Sequence, residues 1–290
     1  MRRALKIAAT AWGDMLSRFA VWFATVLCAS SAALAETSPV LPLASHRAAY
    51  DISLADSSGP APSSAATPIS ATGLIAYEFR GSACEGYTSN FRQLTEMERS
   101  EGEPVSMQVN AMSFEEANGK SMRFQIDARG LQDTPPVAGT ATRGANDELR
   151  VVLTKPSAQT LDFGRDVLFP TQHVERLIEA AKHGGGATQA RVYDGSDTGA
   201  KIFATLSVVG KEATKPDEDV QAASALGGVR RWPVVISYFD EAKTDAPPEY
   251  TLSFDLYENG VSGTLKLDYG AFALRARLRK LEILPTSACK

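Results

Sequence analysis

The chain has 290 residues, 44% of them hydrophobic, and carries a net charge of −4. That is enough apolar material for a large core, and the acidic balance argues against a nucleic-acid binder, which needs a basic face to neutralise phosphates. It also gives no electrostatic reason to sit on anionic lipid.

From the N-terminus, Arg2, Arg3 and Lys6 form a positive start, and Phe19 to Ala29 is an uncharged run. That run suits the apolar region of a secretory signal but is short of the ~20 residues a membrane span needs. Ala33-Leu34-Ala35 supplies the small-x-small cleavage pattern, so residues 1–35 read as a signal peptide removed after Ala35, with export to the periplasm. A retained N-terminal anchor is the alternative. A lipoprotein is disfavoured because Leu27, not a small residue, precedes Cys28. Cleavage removes four basic residues and one acid, which takes the net charge from −4 to −7. No later stretch is apolar enough to span a bilayer, so an integral membrane protein is not expected.

Strict alternation dominates the rest of the chain. Ala48, Tyr50, Ile52 and Leu54 begin it. Met122, Phe124 and Ile126 alternate with polar neighbours, as do Tyr250, Leu252, Phe254 and Leu256, and then Leu265, Leu267 and Tyr269. Phe272, Leu274, Ala276 and Leu278 oppose Arg275, Arg277 and Arg279. A period of two predicts antiparallel strands with one buried and one wet face. Asn118-Gly119 and Asn259-Gly260 are hairpin turns. After Leu278 the phase slips to Leu281 and Ile283, which predicts a bulge.

One segment departs from this period. Val174, Leu177, Ile178 and Ala181 fall at i, i+3, i+4 and i+7, the stripe of an amphipathic helix. Pro170 precedes it, Thr171 can cap it, and Gly184-Gly185-Gly186 ends it. A lone helix among many strands must bury its stripe on the sheet. The fold class is therefore all-β, mainly antiparallel, a long curled sheet around one α-helix, as a single domain over 36–290. Ser57–Ser70 and Lys211–Ala223 read as mobile loops.

Fragments that suggest catalysis do not survive inspection. Asp197-Thr198-Gly199 lacks the second such tripeptide that an aspartic-protease dyad requires, and the residue before it is the polar Ser196. Gly119-Lys120-Ser121 resembles the end of a P-loop, but Phe114 stands where the first glycine belongs. Asp162-Phe163-Gly164 has no kinase catalytic loop. His46, His173 and His183 lack metal-ligand spacing, so neither a metal nor a cofactor is expected. With no nucleophile beside a base, the chain reads as a non-enzyme, a hydrolase being the remote alternative.

Cys28 leaves with the signal, and the remaining pair, Cys84 and Cys289, is expected to join in an oxidising compartment. Two free thiols are the alternative. The bridge would close a very long loop, worth up to about 5 kcal/mol in the chain-entropy model.

The order of several fragments carries a family resemblance. They are Ser45-His46-Arg47-Ala48-Ala49-Tyr50, Cys84-Glu85-Gly86-Tyr87, Leu168-Phe169-Pro170-Thr171-Gln172-His173, Tyr193-Asp194-Gly195 and Leu281-Glu282-Ile283-Leu284-Pro285. With the signal peptide and the two cysteines, the chain resembles the EipB-type cell-envelope-integrity proteins of α-proteobacteria. The resemblance implies a periplasmic spiral β-sheet around a helix, half-barrel-like, with a disulfide corresponding to Cys84 and Cys289. It further implies a role in envelope maintenance under stress and no catalytic residues to carry over. The expected activity is binding of an unidentified periplasmic protein partner; carriage of a lipid or other hydrophobic ligand between sheet and helix is the alternative. The working surface is expected on the concave side, with Phe169, Thr171 and His173 as binding residues at the helix entrance and core packing as the competing role of Phe169.

Overall fold

The structure, a computed structural model, describes residues 42–57, 67–130, 135–215, 217, 219 and 222–286. The signal segment 1–35 and Cys289 lie outside the described residues. The chain divides into two compact units, Met1–Pro39 and Val40–Lys290, and everything described belongs to the second.

The alternating segments become strands, apart from Tyr269 and Phe272, which fall in the connection between two of them. The first eight are β1 (His46–Ala55), β2 (Pro68–Ser82), β3 (Gly86–Arg99), β4 (Val105–Glu115), β5 (Ser121–Arg129), β6 (Val137–Arg143), β7 (Leu149–Lys155) and β8 (Gln159–Asp162). After β9 (Val167–Leu168) comes helix α1 (Pro170–Lys182). The remaining strands are β10 (Gly186–Val192), β11 (Phe203–Val209), β12 (Arg231–Asp240), β13 (Tyr250–Tyr257), β14 (Ser262–Asp268) and β15 (Ala273–Ile283).

They form a single 15-stranded sheet that does not close, running from β8 back to β1, then from β15 back to β9. Neighbours are antiparallel except the β9–β10 pair, which α1 connects. The first and last strands meet in the middle of the sheet, where β1 pairs with β15 from His46–Ile283 to Ala55–Ala273. Register shifts there between Ala49 and Tyr50, opposite Arg279, so the predicted bulge exists. It keeps Leu278 and Leu281 on the same inward side although they are three positions apart.

The apolar faces meet in three clusters. Helix α1 lays Leu177, Ile178 and Ala181 against Phe79 and Tyr87 on one arm of the sheet and Trp232, Val234 and Leu256 on the other. Burying each of its large aliphatic side chains is worth about 1.5–3 kcal/mol. A second cluster joins Tyr50, Ile52, Ile75 and Met97 to Leu274 and Leu278, and Ala223 and Leu226 from a 3-10 turn at Ala222–Leu226 pack into it. The third draws the outer arms together without a ladder. Phe124 and Leu153 pack on Tyr193 and Ile202. Gly195 (φ +77) sits under the Phe124 ring, where a Cβ would lie 2.4 Å from a ring carbon. The Tyr193 hydroxyl donates to Gly199 O at 2.8 Å, and its ring meets Phe163 at 5.6 Å. The fragments that resemble protease and kinase motifs thus help to close the spiral.

Two loop expectations need correction. Pro68, Ile69 and Ser70 belong to β2 rather than to a loop. Asp217 and Asp219, in the acidic stretch 211–223, are buried rather than solvated. Beyond Leu265–Ala276 the β14–β15 ladder stops, and the Asp219 carboxylate occupies the split. It accepts Leu278 N–H at 3.1 Å and the Thr264 hydroxyl, with Arg277 at 3.2 Å. The Tyr257 hydroxyl donates to Asp217 at 2.5 Å. The Asp219 carboxylate replaces a ladder bond that the splayed strands cannot make with each other, which offsets its desolvation.

Candidate functional site

The start of α1 gathers several buried polar groups around one place, Glu115, Thr171 and His173 among them. Pro170 is the first helical residue and Phe169 precedes it without a side-chain cap. Thr171 is therefore inside the helix, not its cap. Its N–H is accepted by the Glu115 carboxylate of β4 at 3.1 and 3.2 Å, so a residue from the sheet caps the helix. An anion there complements the helix dipole. Burial nevertheless pushes Glu115 up to about 7, against the opposing pull of the Thr171 N–H and Arg143.

Arg143, at the end of β6, reaches into the same place. It donates to Gly119 O at 2.9 Å and Gln172 Oε1 at 2.8 Å, and also to Val167 O. Its guanidinium lies 4.7 Å from the Phe169 ring centroid. Gln172 Oε1 accepts Phe169 N–H at 3.1 Å. The Asn118-Gly119 hairpin is thus docked onto the helix start, with Gly119 packed against Gln172.

Phe169, Thr171 and His173 are all buried. They lie together at the helix start, where they secure the helix and present no surface to a partner in this conformation. Burial, aided by Arg176, lowers His173 to about 4, so it is neutral, with a weak 3.5 Å contact to Ser207. His46 is also shifted down by burial, and its Nδ1 donates to Ala44 O at 2.7 Å. The space among His46, Tyr77, Glu115 and Thr171 is about 80 Å³. Ligand pockets run to roughly 300–1,000 Å³, so this one suits a few waters rather than an acyl chain.

Glu115 and Arg143 were missed in the sequence because nothing local marks them; their partners lie tens of residues away. A larger concavity, about 490 Å³, lies on the convex face over Ala49 and Ala76, bounded by Arg47, Arg92, Lys280 and Glu282. Asp197 is tied to Lys201 at 2.5 Å, and Lys201 also binds Glu249 at 3.0 Å. Among the described residues, no group of three or more His, Cys, Asp or Glu side chains is placed to hold a metal ion, and no helix is long and apolar enough to cross a membrane.

Residues 37–285 match the model of the EipB-like family. The chain belongs to the EipB-like family. It is 35% identical, over 99% of its length and 98% of the relative's, to the cell envelope integrity protein EipB of Brucella abortus (strain 2308). A crystal structure of a β-barrel-like protein of a domain of unknown function from Brucella abortus superposes with a TM-score of 0.76 at 36% identity. That match covers 84% of this chain and 99% of the other. The EipB-like fold gives Cys84 a defined setting, in the turn between β2 and β3, and Pro285 borders the same outer hollow as Gly81 near the end of β2 and Glu85 of that turn. The backbone thus returns to Cys84 four residues before Cys289.

Proposed function

We propose that this EipB-like protein is a non-enzymatic periplasmic factor that supports envelope integrity under stress by binding a protein partner. The relative's role in cell envelope integrity supports the setting. The filling of the concave side by the protein's own α1 and 222–226 turn carries the mode of action. A sheet filled from within offers its outer face for contact. Export after Ala35 and a Cys84–Cys289 disulfide complete the reading, supported by the return of the backbone to the β2–β3 turn. N-terminal sequencing and non-reducing peptide mapping of the periplasmic protein test them; a retained signal or two free thiols would refute each in turn.

Deleting the gene should sensitise cells to detergent and to cell-wall antibiotics, and Asp197→Ala should complement the deletion fully. A folded, abundant Asp197→Ala protein that fails to complement would sink the binding-only reading and reopen carboxylate chemistry.

A second reading, carriage of a lipid or other hydrophobic ligand, draws on the concave aromatic row. Tyr238 stacks on Tyr250 at 4.5 Å, and Tyr269 on Phe272 at 5.0 Å, and all four rings keep some exposed area. Native mass spectrometry of protein taken from its own periplasm separates the readings, since a carrier would show a lipid-sized mass addition.

A further inference from the structure

The convex groove combines three features. Cross-strand register places Lys280, Ala49, Ala76 and Arg92 in one row over β15, β1, β2 and β3. The two alanines form a low floor between two long cationic side chains. Arg47, in the next row, is held by Glu78 and Glu282. Among the described residues, neither Lys280 nor Arg92 has an ion-pair partner, whereas several other cations of the convex face do, Arg150 with Asp162 and Arg279 with Asp51 among them. Unpaired positive charge on a protein of net charge −4 is a local field that selects anionic partners. On the groove's other side, Leu74 and Leu94 face each other across β2 and β3, 42% and 50% exposed.

We propose that this groove docks an extended segment of a protein partner in which two carboxylates, four residues apart, flank an apolar residue. Three strand spacings of about 4.8 Å separate the two cations by about 14 Å, which four residues of extended chain span at roughly 3.4 Å each. In an extended chain residues i, i+2 and i+4 face the same way. The outer two then meet Lys280 and Arg92, while the middle side chain enters the room left over Ala49 and Ala76 beside Leu74 and Leu94. The pattern is that of an interface, an apolar centre with a charged rim. An anionic lipid surface would use the cations but has no use for a groove of this shape.

The inference rests on the partner-binding reading, and two measurements separate its failure from that of the reading. The first is fluorescence anisotropy with a labelled Glu-Ala-Leu-Ala-Glu peptide, a Lys-Ala-Leu-Ala-Lys control and, separately, phosphatidylglycerol vesicles. The full mature protein should bind the acidic peptide saturably. Arg92→Glu and Lys280→Glu should each weaken it at least tenfold, Ala76→Trp should block it, and the doubly reversed variant should prefer the basic peptide. All are exposed positions, and an unchanged unfolding midpoint confirms the fold. Absent or variant-insensitive peptide binding overturns the proposal, as does vesicle binding lost in the same variants without peptide binding. The second measurement places a photo-crosslinking residue at position 76 or, on β7, at position 152 in living cells. Protein adducts from 76 and not 152 support the site. Adducts from 152 alone overturn the site and leave partner binding standing; adducts from neither overturn both.

Discussion

Helix α1 and the turn at Ala222–Leu226 both fill the concave side of the sheet, but different forces hold them. The helix is held by area: Leu177, Ile178 and Ala181 lie against aromatic and aliphatic side chains from both arms. The turn brings Ala223 and Leu226, a smaller apolar load, and beside it the Asp219 carboxylate binds the split strands β14 and β15 while Asp217 accepts from Tyr257 of β13. An apolar stripe tolerates small shifts in its partner, because the hydrophobic effect is non-directional. A carboxylate filling a broken ladder does not, because its donors must be met at hydrogen-bond distance and angle.

The largest effect should come from the helix. Leu177→Ala is expected to destabilise the protein by about 4 kcal/mol, from lost burial plus the cavity left behind. Denaturant unfolding measures it, and a loss under about 1 kcal/mol would mean that α1 is not held by its stripe. Asp219→Ala should cost about 3 kcal/mol by leaving the Leu278 N–H and Thr264 hydroxyl without their acceptor. Its signature should be local: faster hydrogen exchange at Leu278 with α1 still protected. Equal acceleration in both regions would show that the two fillers unfold as one unit.

The helix start offers a pH test with opposing signs. Glu115 has its folded pKa raised to about 7, so between its unfolded value and 7 the folded state holds the extra proton and stability falls as pH rises. His173 has its folded pKa lowered to about 4, so between 4 and its unfolded value the unfolded state holds the proton and stability rises with pH. The slopes oppose each other near pH 5–6, each at most about 1.4 kcal/mol per unit. His173→Gln should expose a stability that falls from pH 5 to 7, and Glu115→Gln one that rises from pH 4 to 6. Thermal midpoints across that range measure both, and two flat profiles would contradict the assigned burial effects. The smallest change should come from Tyr257→Phe, about 1 kcal/mol, because Asp217 keeps the Asp219 N–H at 2.8 Å. A loss as large as that of Asp219→Ala would make Asp217 the principal anchor of the turn.

Much of the fold was legible residue by residue. The alternation at Ala48–Leu54 and Tyr250–Leu256 gave strands and their buried faces. The spacing of Val174, Leu177, Ile178 and Ala181 gave the helix, and the phase slip after Leu278 gave the bulge. The site was legible only in part. Phe169, Thr171 and His173 were placed at the helix start, with core packing weighed for Phe169, but the burial of Thr171 and the Glu115 cap were not foreseen. A capping side chain is sought within a few residues of the helix, whereas Glu115 lies 56 residues before the N–H it accepts. In the acidic stretch 211–223, charge read as exposure, since a carboxylate is solvated unless fixed donors meet it. Those donors stand on β13, β14 and β15.

The sequence by itself therefore determined which segments are strands, where the helix lies and which side of each element is apolar, because these properties arise from periods of 2 and 3.6 within one segment. Only the tertiary structure decided which strands are neighbours, since a period of two is the same whatever the partner. Pairing of β1 with β15 sets Lys280 beside Ala49, and pairing of β2 with β3 sets Arg92 beside Ala76. The outer groove, the split closed by Asp219 and the helix capped by Glu115 all depend on that order, because each joins side chains that only strand register brings within reach.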